Sequence, residues 1–281
     1  MFRGAIELMR ASWRVMWSEQ ALFLLAVAPV VTFAAVILVE AAIAALAPAA
    51  AVAMLVPATL FVVFMAMFWS AAIVSAANEV GEGGSPTVSG AAQDALDHAR
   101  AIAAWAFYSL TVGVAIRLFG SLLGRFGVLV TYAGETAWSV ATMLVLPAIV
   151  IDGWTPADAR RHSRELLGST WAVSLTGQVG FDLVAAVAIV PALLVVVLAA
   201  LLDNGPLMGV AILLCFASFI AAALAVSACL SVYRTMLYRS INGRSLPFEF
   251  EATTTFQRSR KPAPAAAFTS IAFGSRPVRS R

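Results

Sequence analysis

Charged residues are scarce in this sequence. Asp, Glu, Lys and Arg make up 12% of its 281 residues, about half of the roughly 25% that is typical of soluble globular proteins. Hydrophobic residues make up 62%. A soluble domain of this size needs more charge on its surface, so the composition excludes the soluble globular class. The sequence predicts an integral membrane protein.

Cysteine is nearly missing as well. Cys215 and Cys229 lie in one apolar stretch, and a helix would separate them by about 21 Å at about 1.5 Å per residue. That distance is too long for a disulfide. The sequence therefore excludes a disulfide-stabilised secreted domain.

Long uncharged runs predict where the chain crosses the membrane. A helix of about 20 apolar residues spans the hydrocarbon core. Positions 41–78 carry no charge, and Ala47-Pro48-Ala49-Ala50 is the best turn near the start of that run. We predict six spans, at approximately 21–44, 50–74, 101–120, 130–151, 180–202 and 207–233. The predicted fold class is all-α: a polytopic membrane helical bundle of three hairpins with amphipathic cytoplasmic helices.

Three short amphipathic segments precede the predicted hairpins, at approximately 3–17, 87–100 and 156–168. Ser18 is a candidate cap for the helix that follows the first segment, and Pro156 fits the first turn of the third. Each segment combines charged residues with a Trp at the predicted membrane edge. This layout is compatible with a threefold internal repeat, or with the Arg and Trp anchors that hairpin membrane proteins share.

The positive charges predict the orientation. All Lys and Arg residues except Arg117 and Arg125, 16 of the 18, fall on the side that carries both termini in a six-span chain. Cytoplasmic loops retain positive charge, so we expect both termini in the cytoplasm. A cleaved signal peptide ending near Ala47 is the rival interpretation, but the apolar region is too long for it.

The last part of the chain has a different composition. Residues 1–244 form the predicted membrane domain, whereas residues 245–281 lack long apolar runs and contain six Lys and Arg residues. This pattern is typical of a disordered basic tail. The tail has no aromatic platform for nucleic acid, so we expect no nucleic-acid partner.

Two groups of charged residues are candidate sites. The outer group lies where short spans bring charged side chains into the apolar zone of the membrane. Burying a charge there costs free energy, so such residues often form ion pairs or line a functional path. The outer group comprises Glu40, Arg117, Arg125 and Glu135. We favour independent extension of each side chain to water; the alternative is an Arg117–Glu135 pair, joined by Glu40 and Arg125, that closes or lines an outer vestibule. The inner group is expected to contact anionic lipid headgroups and comprises Arg3, Arg10, Arg14, Arg160, Arg161 and Arg164.

Enzyme motifs are missing from the sequence. It contains no GxSxG, HExxH or CxxC motif, and its Gly81–Pro86 segment lacks the strand and helix that a phosphate-binding loop requires. Neither His98 nor His162 has a partner at metal-ligand spacing. Asp182 and Asp203 lie about 31 Å apart along one helix, too far for a shared proton. We predict no catalytic residue, no metal and no cofactor.

Several segments resemble an uncharacterised family of bacterial six-span membrane proteins. They are Ala11–Trp17, Ser85–Ala91, Ala137–Thr142 with Leu146-Pro147, Arg161–Trp171 and Tyr233–Gly243. That family is similar in layout to the membrane region of some glycerophosphodiester phosphodiesterases, whose catalytic barrel this chain lacks. The resemblance implies a multi-pass protein of the bacterial cytoplasmic membrane and carries no catalytic residues.

Three classes of function follow from these observations. The first is a non-catalytic scaffold, accessory or lipid-interacting protein, because orientation and anchoring explain every charged group. The second is a transporter or channel with an outer charge cluster, and the third is a membrane-embedded enzyme. Membrane lipids are the expected partners, with a second membrane protein or another copy of the chain as further candidates.

Overall fold

The computed structural model describes residues 2–165, 190–191, 193–201, 205–247 and 250. This part of the chain is helical and contains no strand. Its helices are α1 (Phe2–Ser18), α2 (Gln20–Leu46), α3 (Pro48–Gly81), α4 (Val88–Asp97), α5 (Ala99–Ser121), α6 (Gly127–Thr142), α7 (Val145–Asp152), α8 (residues 156–165) and α9 (Gly205–Ile241). Residues 193–201 are also helical, and a 3-10 turn, Gly124–Phe126, joins α5 to α6.

Five helical stretches are long and apolar enough to cross a membrane. They are Gln20–Leu46, Pro48–Gly81, Ala99–Ser121, Gly124–Asp152 and Met208–Ile241. The all-helical class predicted from the sequence is thereby confirmed for the described residues, which include five helical stretches suited to crossing a membrane. These stretches correspond to five of the six predicted spans. Most of the span predicted at 180–202 lies outside the described residues.

Local chemistry explains several helix boundaries. Pro48 starts α3 directly after Ala47, where a missing backbone N–H costs nothing. Thr87 caps α4 by accepting a hydrogen bond from the Gly90 amide at 3.1 Å. Pro147 explains the break between α6 and α7, because its ring displaces the carbonyl four residues earlier.

The predicted cap at Ser18 is wrong. Ser18 is the last residue of α1, and its hydroxyl donates back to the Val15 carbonyl at 3.0 Å. Glu19 occupies the position before α2 and makes no side-chain capping bond. The chain turns there because α1 packs back on α9 through Ala11, Val15 and Met16, all nearly inaccessible to solvent.

Large apolar side chains divide the molecule into two zones. On α3 they are exposed up to Phe61, and burial begins at Phe68. Among the described side chains of α9, the last large apolar one that is exposed is Phe219, and a continuous buried run begins at Ala228. We call the exposed zone the belt and the buried zone the head. From Pro48 to Phe68, α3 rises about 30 Å, the thickness of the hydrocarbon core, so the belt fits a bilayer.

The head is a packed core at one end of the bundle. It combines the last turns of α3 and α9 with α7 and with parts of α1, α4 and α5. Its buried side chains include Ile73, Trp105, Ile149, Tyr233 and Tyr238. Phe250 is also fully buried and belongs to this core.

Candidate functional site

Three adjoining cavities follow α2 through the belt. One of about 210 Å³ lies between α2, α3 and α9 and is lined by Pro29, Met65 and Phe219. A second, of about 690 Å³, lies between α2 and α3 and reaches Glu40. A third, of about 670 Å³, lies between α2 and α9. Thr32 lines the first two cavities, while Val30 and Ile220 line the first and third.

These shared residues make the cavities one surface, which we call the α2 crevice. Its lining is apolar except for Thr32 and Glu40. Thr32 is engaged by the protein itself: its hydroxyl donates to the Ala28 carbonyl at 3.0 Å and accepts from Trp69 Nε1 at 3.0 Å. Along α2 the crevice runs from Pro29 to Ile43, about 21 Å. It therefore offers an apolar surface through much of the belt.

The prolines that lie inside the long helices line this crevice. Pro29 is in α2 and Pro57 is in α3, and they line the first and second cavities respectively. A proline inside a helix bends it and removes one backbone hydrogen bond. Both prolines therefore remove a backbone hydrogen bond where their helices line the crevice.

The predicted outer charges do not all meet. Arg117 Nε lies 2.7 Å from Glu135 Oε1, so α5 and α6 bring this pair together. The Arg117 side chain is 74% exposed, and an ion pair in such a position contributes at most about 1 kcal/mol. Arg125 instead lies over the Phe126 ring at 5.0 Å. Within the described residues Glu40 joins neither of them, and it lies at the outer part of the crevice.

The predicted inner cations are distributed over two helices. Arg3 lies in the first turn of α1, and the exposed side chains of Arg10 and Arg14 follow on the same helix. Trp13 and Trp17 continue this surface, with ring centroids 5.7 Å apart.

On α8, Arg161 and Arg164 are exposed, whereas Arg160 is half-buried. Arg160 donates a hydrogen bond to the Tyr108 hydroxyl and lies 4.8 Å from the centre of that ring. Ser163 holds α8 against α6 by donating to the Ala141 carbonyl at 3.1 Å. Helix α8 and its Arg160 are therefore fixed against the helix bundle, whereas Arg161 and Arg164 are exposed.

Sequence reasoning did not find the central residue of the head. Arg239 is only 1% exposed and uses every nitrogen of its guanidinium. Nε donates to the Ser245 carbonyl at 2.9 Å, Nη2 to Ser245 Oγ at 3.0 Å, and Nη1 to the Asn78 carbonyl at 3.1 Å. Nη1 also contacts the Asn78 side chain and Glu82. Arg239 thus joins the end of α3 to the chain after α9.

A second polar group lies at the end of α7. Asp152 accepts hydrogen bonds from the Tyr238 hydroxyl and from Arg244. The neighbouring Trp154 ring contacts His162, with centroids 4.6 Å apart. These contacts tie α7 and α8 to α9. The two partners of Asp152 lie 86 and 92 residues away in sequence, so residue spacing could not reveal them.

The two histidines have structural contacts. His98 Nδ1 lies 2.8 Å from the Asp94 carbonyl oxygen, and His162 contacts the rings of Trp154 and Tyr238. In the described part of the chain, neither histidine has a carboxylate partner. No group of three or more His, Cys, Asp or Glu side chains there is placed to hold a metal ion.

Comparison with known proteins identifies a family. Residues 48–246 match a family of unknown function, DUF6159, which confirms the predicted resemblance to an uncharacterised family. The matched region contains α3 to α9 and therefore most of the belt and the head. No curated protein and no solved structure matches the chain.

Proposed function

The chain belongs to this family of unknown function, and we propose that it is a non-catalytic, lipid-interacting membrane protein. The α2 crevice is the observation that supports this proposal. The crevice lies within the belt and its lining is largely apolar. The one hydroxyl in the lining, that of Thr32, is already hydrogen-bonded inside the protein. The occupant that matches this lining at this depth is the acyl chain of a membrane lipid.

The same lining argues against a path for polar solutes. Apolar cavities do not hold water well, because a buried water needs two to four polar partners. A transporter for ions or polar solutes would need such partners along the crevice, which offers only Glu40 beyond the engaged Thr32. The Arg117–Glu135 ion pair joins α5 to α6, and neither residue lines any of the three cavities described above.

Filling the crevice should displace bound lipid. Replacing Ala35, which lines the second cavity, with tryptophan places a large ring where an acyl chain is expected. We expect the purified variant to lose at least one tightly bound phospholipid relative to the unaltered protein, counted by native mass spectrometry. The measurement uses the full chain extracted in native lipid.

Ala115→Trp is the matched control. Ala115 is an exposed belt residue on α5 that does not line the crevice, so the same ring there should leave the lipid count unchanged. Equal lipid counts in the Ala35 variant and the unaltered protein would refute binding in the crevice. Equal losses in both variants would refute it too.

The proposed setting is the bacterial cytoplasmic membrane, with six spans and both termini in the cytoplasm. This orientation is supported by the distribution of positive charge, because 16 of the 18 Lys and Arg residues fall on one side of the predicted topology. In this arrangement the head faces the cytoplasm and the α5–α6 connection lies outside. We also propose that the layout of the spans is similar to that of the membrane region of some glycerophosphodiester phosphodiesterases.

A reporter fusion tests this orientation. A phosphatase that is active only outside the cytoplasm, fused after Asp203, is expected to be active, because Asp203 follows the fifth predicted span. The same reporter fused after Arg244 should be inactive. Activity after Arg244, or a cytoplasmic readout after Asp203, would contradict the six-span arrangement.

A further inference from the structure

Arg160 is fixed by aromatic side chains. Its guanidinium lies over the Tyr108 ring at 4.8 Å and donates to the Tyr108 hydroxyl. Tyr108 contacts Trp138, with ring centroids 5.8 Å apart, and Trp138 stacks on Trp105 at 6.1 Å. We call Trp105, Tyr108 and Trp138 the aromatic triad. A cation–π contact and a hydrogen bond together restrict the arginine to one surface of the bundle.

This surface lies where the belt meets the head. On α5, Trp105 and Ala106 are buried in the head, and Phe107 is the first large apolar side chain exposed in the belt, at 65%. Tyr108 is the next residue. Arg160 is therefore at the depth where aromatic side chains meet lipid headgroups.

Arg164 adds a second cation on the same side of α8. It lies four residues after Arg160, so the two side chains are neighbours on one face of the helix, and it is exposed. Asp158, the nearest preceding acid, accepts a hydrogen bond from the Thr155 hydroxyl at 2.6 Å. The three arginines of α8 outnumber its two acids, Asp158 and Glu165. The patch around Arg160 and Arg164 therefore carries a net positive charge.

We propose that Arg160 and Arg164 bind the phosphate of an anionic phospholipid in the leaflet next to the head. Guanidinium groups form strong, charge-assisted hydrogen bonds to phosphate oxygens, and the aromatic triad holds Arg160 ready to form them. This inference rests on the proposed lipid-interacting function and adds a headgroup class to it. The source of the phosphate is the lipid and not free phosphate.

Removing the Arg160 charge should reduce the retention of anionic lipid selectively. We expect Arg160→Gln to weaken binding of phosphatidylglycerol about tenfold, the effect of losing one charge-assisted hydrogen bond. Binding of diacylglycerol, which has no phosphate, should stay within twofold of the unaltered protein. Native mass spectrometry of the full chain titrated with each lipid gives both values. Arg160→Lys keeps the charge and should restore part of the affinity.

The control is an arginine with a similar contact at the other end of the bundle. Arg125 lies 5.0 Å from the centre of the Phe126 ring, so Arg125→Gln removes a charge and a cation–π contact in the outer connection. Its phosphatidylglycerol affinity should be unchanged. Equal loss in the Arg125 and Arg160 variants, or no loss in the Arg160 variant, would overturn the proposal.

Two further measurements separate the remaining outcomes. Tyr108→Phe keeps the ring and removes only the hydroxyl, so it should fold and show a smaller loss of phosphatidylglycerol than Arg160→Gln; unchanged affinity in both variants would refute the site. Inorganic phosphate at millimolar concentration should not displace the lipid, and displacement would overturn the assignment to a lipid. Failure of the crevice proposal would be seen separately, in the Ala35→Trp lipid count.

Discussion

Replacing Arg239 with methionine is expected to lower the free energy of unfolding by about 2–3 kcal/mol, the scale of hydrogen bonds made by a buried charged group. The guanidinium is 1% exposed and donates to backbone and side-chain acceptors on Asn78 and Ser245. Methionine cannot make these hydrogen bonds, so the link between the end of α3 and the chain after α9 is lost. The melting temperature of the purified protein in nanodiscs should fall by about 5 °C or more.

Two variants make this test specific. Arg239→Lys keeps the charge but has a single nitrogen, which cannot reproduce the contacts of Nε, Nη1 and Nη2, so it should lose almost as much stability. Arg100→Met changes an exposed arginine and should move the melting temperature by no more than about 2 °C. A melting temperature for the Arg239→Met variant that matches the Arg100 variant would contradict the structural role of Arg239.

Replacing Gly81 with alanine is expected to destabilise the head by about 1–3 kcal/mol, as overpacking of a filled core does. A Cβ atom at Gly81 would lie 2.4 Å from Arg239 Nε and 2.8 Å from its Cζ. A flexible arginine could move away, but Arg239 is held by its hydrogen bonds to Asn78 and Ser245. The steric cost therefore exceeds the roughly 1 kcal/mol that alanine gains over glycine in a helix.

The coupling between Gly81 and Arg239 is the sharper measurement. In an Arg239→Met background the clash is relieved, so Gly81→Ala should cost at least about 1 kcal/mol less than in the unaltered protein. Gly113→Ala is the control, because a Cβ there meets no atom within 4 Å, and it should be neutral or slightly stabilising. Additive effects of the Gly81 and Arg239 changes would show that the two sites do not interact.

Much of the helical framework could be predicted from the sequence. Charge-free runs located the belt helices, and the start of α3 was readable from the turn at Pro48, whose chemistry is local. The Arg117–Glu135 contact, which the sequence offered as the alternative to separate side chains, joins two residues that flank a short connection between neighbouring helices. Helices and nearby pairs depend on residues close in the chain.

The head could not be predicted in the same way. Phe68 to Ala77 and Ala228 to Tyr233 are as apolar as the belt, and hydropathy does not distinguish burial against protein from burial against lipid. The Arg239 contacts to Asn78 join residues 161 positions apart, and the Tyr238 contact to Asp152 spans 86. Such contacts arise only when the helices pack. The α2 crevice likewise depends on how α2, α3 and α9 pack against one another.

Density in the α2 crevice tests the central claim most directly. An electron cryo-microscopy map of the full chain in nanodiscs of bacterial lipid is predicted to show an elongated acyl-chain density along α2, between Pro29 and Ile43. The lipid-binding account would be contradicted by a crevice closed by the protein's own side chains. It would be contradicted equally by a crevice that holds a chain of ordered water leading to Glu40.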